Sequence, residues 1–306
     1  MSEMRRRTET KIGTLKSACG KVSRVRHMVP GGSRESLPER KVRFADNPTV
    51  TDQLYASYVT DERRTPGEPH MRNPRHMARI AGLFQALEGT ASSQGQEFIR
   101  AKLIVSGNAA ATAASILGHS RLFWTGFVLS AAGVAFHIIW TLLFYYLFRP
   151  VSRKIALLAA FVMLVGCAIQ AVTALLYLAP WVILENGSSM GGFTSQQIQS
   201  LAFMFWKLNG RSDQFYVVFF GLWCFLTGYL IFRSTFMPKV IGILLSIDGL
   251  GWMMFVYPPL GSSLFTFIAI AAGLAEIPLL LWLLIMGVNP QRWNEQAAAA
   301  GIASNA

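Results

Sequence analysis

Between Leu122 and Gly287 the chain alternates long apolar runs with short polar breaks: Leu122 to Phe148, Ile155 to Leu178, Phe215 to Phe232, Val240 to Tyr257 and Leu264 to Gly287. Each run closes on a charge, a proline or a polar loop. Crossing roughly 30 Å of hydrocarbon takes about 20 residues at about 1.5 Å each, and a helix satisfies its own backbone hydrogen bonds there. The pattern predicts five membrane-spanning helices. A sixth candidate, Ile80 to Phe98, is interrupted by Gln85, Glu88, Ser92, Ser93, Gln94, Gln96 and Glu97, so it spans only when neighbouring helices cover its polar face. The expected fold is an all-α polytopic transmembrane helix bundle of about six spans over residues 78–293. It is flanked by a disordered N-terminal tail (residues 1–77) and a disordered C-terminal tail (residues 294–306).

Two connections carry helix signals of their own. Thr194 and Gln197 fit a capping box, followed by Ile198, Leu201, Phe205 and Leu208 at helical spacing and by Asn209-Gly210 as a stop. Asn108 to Leu117 is a shorter Ala-rich version, with Asn108 as N-cap and Gly118 as stop. Both are expected at the non-cytoplasmic surface. Asp213, just before the fourth of the six spans, Phe215 to Phe232, fits an N-cap for that helix.

Charge divides the chain. Residues 1–80 carry 17 of the 28 Lys and Arg against 9 of the 16 Asp and Glu, a net +8. With several prolines and no apolar period, this segment cannot bury enough surface to offset its ordering entropy. Either it is a solvated tail or it is a polybasic segment attracted to anionic lipid; no nucleic-acid partner is expected. In the short loops, Arg149, Arg153, Lys154, Arg233, Lys239 and Arg292 fall on one side of a six-helix arrangement, and Arg100, Lys102, Arg121, Lys207 and Arg211 on the other. Together with the tail, this bias places both termini in the cytoplasm and the protein in the plasma (inner) membrane. The three cysteines are too far apart for a zinc spacing or a disulfide framework.

Four stretches have a recognisable character: FIRAKLIVSGNAAATAASIL (Phe98 to Leu117), LFYYLFRPVSRKIALLAAF (Leu143 to Phe161), VFFGLWCFLTGYLIFRSTFMPKVIGILL (Val218 to Leu245) and GLAEIPLLLWLLIMGVNPQRW (Gly273 to Trp293). With Ala78 to Leu83 as an opening, the pattern from Ala78 to Trp293 resembles the bacterial membrane proteins of domain-of-unknown-function family 4386. The resemblance implies a helical bundle of about six spans with cytoplasmic ends and no assigned activity. Similar sequences have a more apolar first span and often His where Trp223 stands, so no role built on that His carries over.

The polar residues that interrupt the runs are the candidate chemistry. Glu88, His137, Gln170, Asp248 and Glu276 each lie near the centre of a span. A carboxylate at mid-membrane costs on the order of 2.5–3.5 kcal/mol on insertion scales, so these groups face the interior and seek partners. One possibility is a proton relay or small-cation site, with Asp248 and Glu276 exchanging protons, His137 switching and Gln170 orienting. The other is hydrogen-bonded glue between helices. No two of these residues share a helix at metal-ligand spacing, and no cofactor motif is present; neither a metal nor a cofactor is expected. Ser262 and Ser263 lack a G-x-S-x-G elbow. Gly126 and Gly133, Gly221 and Gly228, and Gly242, Gly249 and Gly251 mark places where backbones can approach. Pro278 interrupts the last run two residues after Glu276. Trp140, Trp223, Trp252 and Trp282 lie deep and either line a lipid-sized cavity or pack the core.

Three function classes follow. The chain is a non-enzymatic bundle that binds lipids, partner helices or a second copy of itself; or a proton- or cation-coupled carrier using Asp248 and Glu276; or a membrane-embedded enzyme acting on a lipid-like substrate. Convergence of the mid-span polar groups is what separates them.

Overall fold

The computed structural model describes residues 73–189 and 191–302. The expected basic tail lies outside the described residues through position 72. Helix α1 (Pro74–Ser92) starts where Asn73 Oδ1 accepts from Arg75 N (3.0 Å) and Pro74 supplies a preset first turn. It begins four residues earlier than the expected boundary at residue 78. The helix widens into a π-helical segment, Ser93–Ile99, and runs on as α2 (Arg100–Leu103). A short helix, α3 (Ala109–Gly118), follows. Its N-cap is Asn108, whose Oδ1 accepts from Ala111 N at 2.9 Å, as the sequence predicts.

Among the described residues, five helices are long and apolar enough to cross a membrane. They are α4 (Ser120–Phe148), α5 (Arg153–Glu185), α6 (Ser195–Arg233), α7 (Lys239–Met253, extended by a 3₁₀ turn to Val256) and, after a single-turn α8 (Pro258–Ser263), α9 (Phe265–Leu281). Helix α9 continues through Pro278 and ends in a second π-helical turn, Trp282–Met286, closed by Gly287 at φ +66°. Helix α1 is not among the five; it packs against α4 and the wide turn after α9. The other main pairings are α5 with α6, α6 with α7, α4 with α5 and α7 with α9.

Surface and interior are inverted relative to a water-soluble bundle. Phe267, Val240, Phe161 and Leu175 are each more than 60% exposed, whereas Glu88, His137, Asn209 and Asp248 are buried. Lipid solvates such an apolar exterior, while the interior is left to match its own polar groups. The aromatic core centres on Trp140 and Trp223, whose ring centroids are 4.7 Å apart at 78°. Both are sealed in, so they pack the core. The cleft beside them, about 190 Å³ including its open mouth, is walled by Thr141, Phe144, Ala159 and Thr227 and carries no acid or histidine.

Three expectations are corrected. Asn209-Gly210 does not stop a helix: α6 runs unbroken for 39 residues from a complete Thr194–Gln197 capping box to Arg233. Asn209 is buried and donates its Nδ2 to Thr173 O on α5 (2.8 Å), while Gly210 leaves room for the guanidinium of Arg100. Both residues therefore serve helix packing. Asp213 lies inside the same helix and caps nothing. The chain after residue 293 is helical as far as Ala299, in α10 (Pro290–Ala299), capped by Asn289 and anchored where Trp293 Nε1 donates to Leu147 O (2.9 Å).

Candidate functional site: a mid-helix polar layer

Glu88, His137 and Gln170 meet. Nδ1 of His137 donates to Oε1 of Gln170 at 3.0 Å and lies 3.6 Å from Oε1 of Glu88. The same Glu88 oxygen accepts from Ser92 Oγ, one turn on, at 2.8 Å. Three helices thus contribute: α1 the acid and its hydroxyl, α4 the imidazole, α5 the amide. Close approach of α1 to α4 depends on small residues. A β-carbon on Gly133 would fall 2.6 Å from Ser92 Oγ, and one on Gly95 would fall 2.6 Å from Ser130 Oγ.

The imidazole is fully buried and stacks on Trp140, with centroids 4.6 Å apart at 16°. Tyr216 meets its edge at 5.9 Å. Nε2 has no hydrogen-bond partner among the described residues. Because Nδ1 carries the hydrogen given to Gln170, a neutral His137 presents a lone pair at Nε2. A second proton there would produce a cation beside Glu88 and nowhere near any Lys or Arg of its own helix segment.

Asp248 and Glu276 form the other half of the layer. Trp252 Nε1 donates to Glu276 Oε1 at 3.4 Å, and the two carboxyls lie within electrostatic reach of one another. Asp248 is completely buried beside the Cys224 thiol and the Trp252 indole. Neither of its oxygens makes a hydrogen bond among the described residues. The structure therefore pairs His137 with Glu88 and Gln170, rather than directly with Asp248 and Glu276.

Glu88 also lies within electrostatic reach of Cys167 on α5, Asp213 and Tyr216 on α6 and Glu276 on α9. Two neighbours of this layer were not singled out in the sequence. Trp252 appears there only as a deep aromatic, and Ser92 only among the polar interruptions of the first span, although its i+4 spacing from Glu88 is the signal that finds it.

A separate polar girdle lies toward the start of α6. Arg100 Nη2 donates to Trp206 O at 3.4 Å, Thr173 and Ser212 share a hydrogen bond of 2.7 Å, and Arg100 lies in the field of Asp213 and Glu97. Ser263, the other hydroxyl of interest, donates to Leu260 O in its own turn (2.8 Å).

A bundle of long apolar helices with an apolar exterior and a buried polar layer defines a polytopic α-helical membrane protein. The chain belongs to the family described as Domain of unknown function (DUF4386), whose family model matches residues 80–287. No curated protein and no solved structure matches it.

Proposed function

We propose that this is a non-enzymatic membrane bundle that takes up protons at mid-depth, with Asp248, Glu276 and the imidazole of His137 as the groups that bind them and Glu88 packed beside His137. One observation carries this reading. Three acids and a histidine occupy the central parts of their helices, and those central parts contain no Lys or Arg. Ionised together they would place several unneutralised charges where each costs on the order of 2.5–3.5 kcal/mol even on insertion scales. Protons, or a small cation in their place, supply the missing positive charge. A proton taken up at His137 Nε2 would place an imidazolium beside Glu88, 3.6 Å from its Oε1.

Infrared spectroscopy of the purified chain in lipid nanodiscs tests it. Protonated buried carboxyls give C=O stretching bands apart from those of carboxylates. The wild type is expected to show such bands at neutral pH, with one lost in Asp248→Asn and another in Glu276→Gln. A spectrum without protonated carboxyls would refute the proposal.

A second reading is favoured by the setting of Asp248. A fully buried acid with only weak donors, the Cys224 thiol and the Trp252 indole, beside it is ready to take a stronger donor or a cation in another state of the bundle, as a coupled carrier of small solutes requires. Its test is proton flux into proteoliposomes under a pH gradient. Asp248→Asn and Glu276→Gln are expected to abolish the flux; no flux in the wild type, or unchanged flux in both variants, removes the carrier.

A further inference from the structure

The two ends of the bundle differ in charge, and the difference is built by packing. Arg79 on α1 donates Nη2 to Ile285 O at 2.8 Å, and the stem of Arg75 lies against Gly287, so the start of α1 meets the end of α9. Helix α10 then binds this corner to the rest. Arg292 Nη1 donates to Thr235 O at 3.3 Å, Asn289 N to Phe236 O at 3.4 Å, and Trp293 to Leu147 O. The same end therefore also holds the α4–α5 turn with Arg149, Arg153 and Lys154, and the α6–α7 turn with Arg233 and Lys239. These eight cations face a single acid of the described chain at that end, Glu295, for a net +7. The far end has five cations, Arg100, Lys102, Arg121, Lys207 and Arg211, against Glu97, Glu185 and Asp213, for a net +2.

We infer that the +7 end is a docking surface for the phosphate headgroups of anionic phospholipids. Its cations sit where membrane-spanning helices end, which is headgroup depth, rather than on a soluble domain. Arg153, Lys154, Arg233 and Lys239 are exposed. Aromatic rings stand with them as in an interfacial belt: Arg149 lies over the Tyr146 ring at 5.1 Å and Lys239 over Phe232 at 5.6 Å. This inference is independent of proton uptake by the central layer.

Energy transfer from tryptophan to dansyl-labelled lipid, measured on the full chain in bilayers, tests it. The wild type is expected to prefer labelled phosphatidylglycerol over phosphatidylcholine, with the preference falling as salt is added. The quadruple variant Arg153→Gln, Lys154→Gln, Arg233→Gln, Lys239→Gln should lower that preference at least tenfold, a basic residue near an anionic surface being worth roughly fivefold. The matched variant at the far end, Lys102→Gln, Arg121→Gln, Lys207→Gln, Arg211→Gln, should leave it within about twofold. Equal losses in the two variants, or no preference in the wild type, would overturn the assignment. So would displacement of the lipid by inorganic phosphate at matched ionic strength, which would mark a general anion site.

Discussion

Gly228 and Gly242 meet backbone to backbone: a β-carbon built on either would fall 2.6 Å from the carbonyl oxygen of the other. Two turns away the contact repeats, with Gly221 against the Gly249 carbonyl at 2.7 Å. Helices α6 and α7 are antiparallel neighbours held at this distance by glycines seven residues apart on each. Where lipid removes the hydrophobic drive for helix association, such close packing supplies much of the attraction.

Valine at Gly228 or Gly242 is therefore expected to destabilise the bundle by about 1–3 kcal/mol, the usual range for overpacking. Thermal unfolding in detergent measures it. Gly89, with open space around its missing side chain, serves as the comparison, and Gly89→Ala should be neutral or stabilise by up to about 1 kcal/mol. Indistinguishable melting of Gly89→Ala and Gly228→Val would contradict the packing described.

The contact between Glu88 and His137 predicts non-additive losses. Each alanine substitution leaves a buried polar partner unmatched and should cost about 1–3 kcal/mol. In a double-mutant cycle the second substitution should cost less than the first, with a coupling of about 1 kcal/mol. Additive losses would mean that the two side chains do not interact. Gln170→Leu should lower stability as well, because it withdraws the acceptor for His137 Nδ1.

Arg100 and Gly210 form a seat and its occupant. Valine at Gly210 would push the guanidinium off α6, at an expected cost of about 1–2 kcal/mol. In an Arg100→Ala background the same valine meets empty space, and its cost should fall by at least half. Equal costs in the two backgrounds would show that the guanidinium does not occupy this position.

Topology is open to a direct check. Gly187 and Ser234 flank the two ends of α6, so reporters fused after them are expected in opposite compartments, the Ser234 fusion on the cytoplasmic side with the basic turns. The same compartment for both fusions would exclude a membrane-crossing α6.

The five apolar runs, the Asn108 cap and the Thr194–Gln197 capping box were legible because each depends on local periodicity or on residues three apart. Position along each helix was legible too. Glu88, His137, Gln170, Asp248 and Glu276 stand near the centres of their helices, as counting along each run requires. Azimuth was not. Which of the five face one another depends on how each helix is rotated, and that rotation is set by glycines, by Trp140 and by the π-helical segment after Ser92. Asn209-Gly210 shows the converse. In sequence the pair has the chemistry of a helix stop; in the bundle its amide binds Thr173 O, its missing side chain admits Arg100, and the helix continues. Residues 294–299 hid a helix for a similar reason: Asn289-Pro290 was a legible start, but the anchor at Leu147 is 146 positions away.

That continuity has a mechanical consequence. At about 1.5 Å per residue, 39 residues make α6 a rod of about 58 Å, nearly twice the roughly 30 Å of a hydrocarbon slab. Had it broken at Asn209, a push on its first turns would have dissipated in a loop. As a single rod it would carry a tilt at Thr194 through to Arg233 at the opposite end, past the Gly221–Gly249 and Gly228–Gly242 contacts.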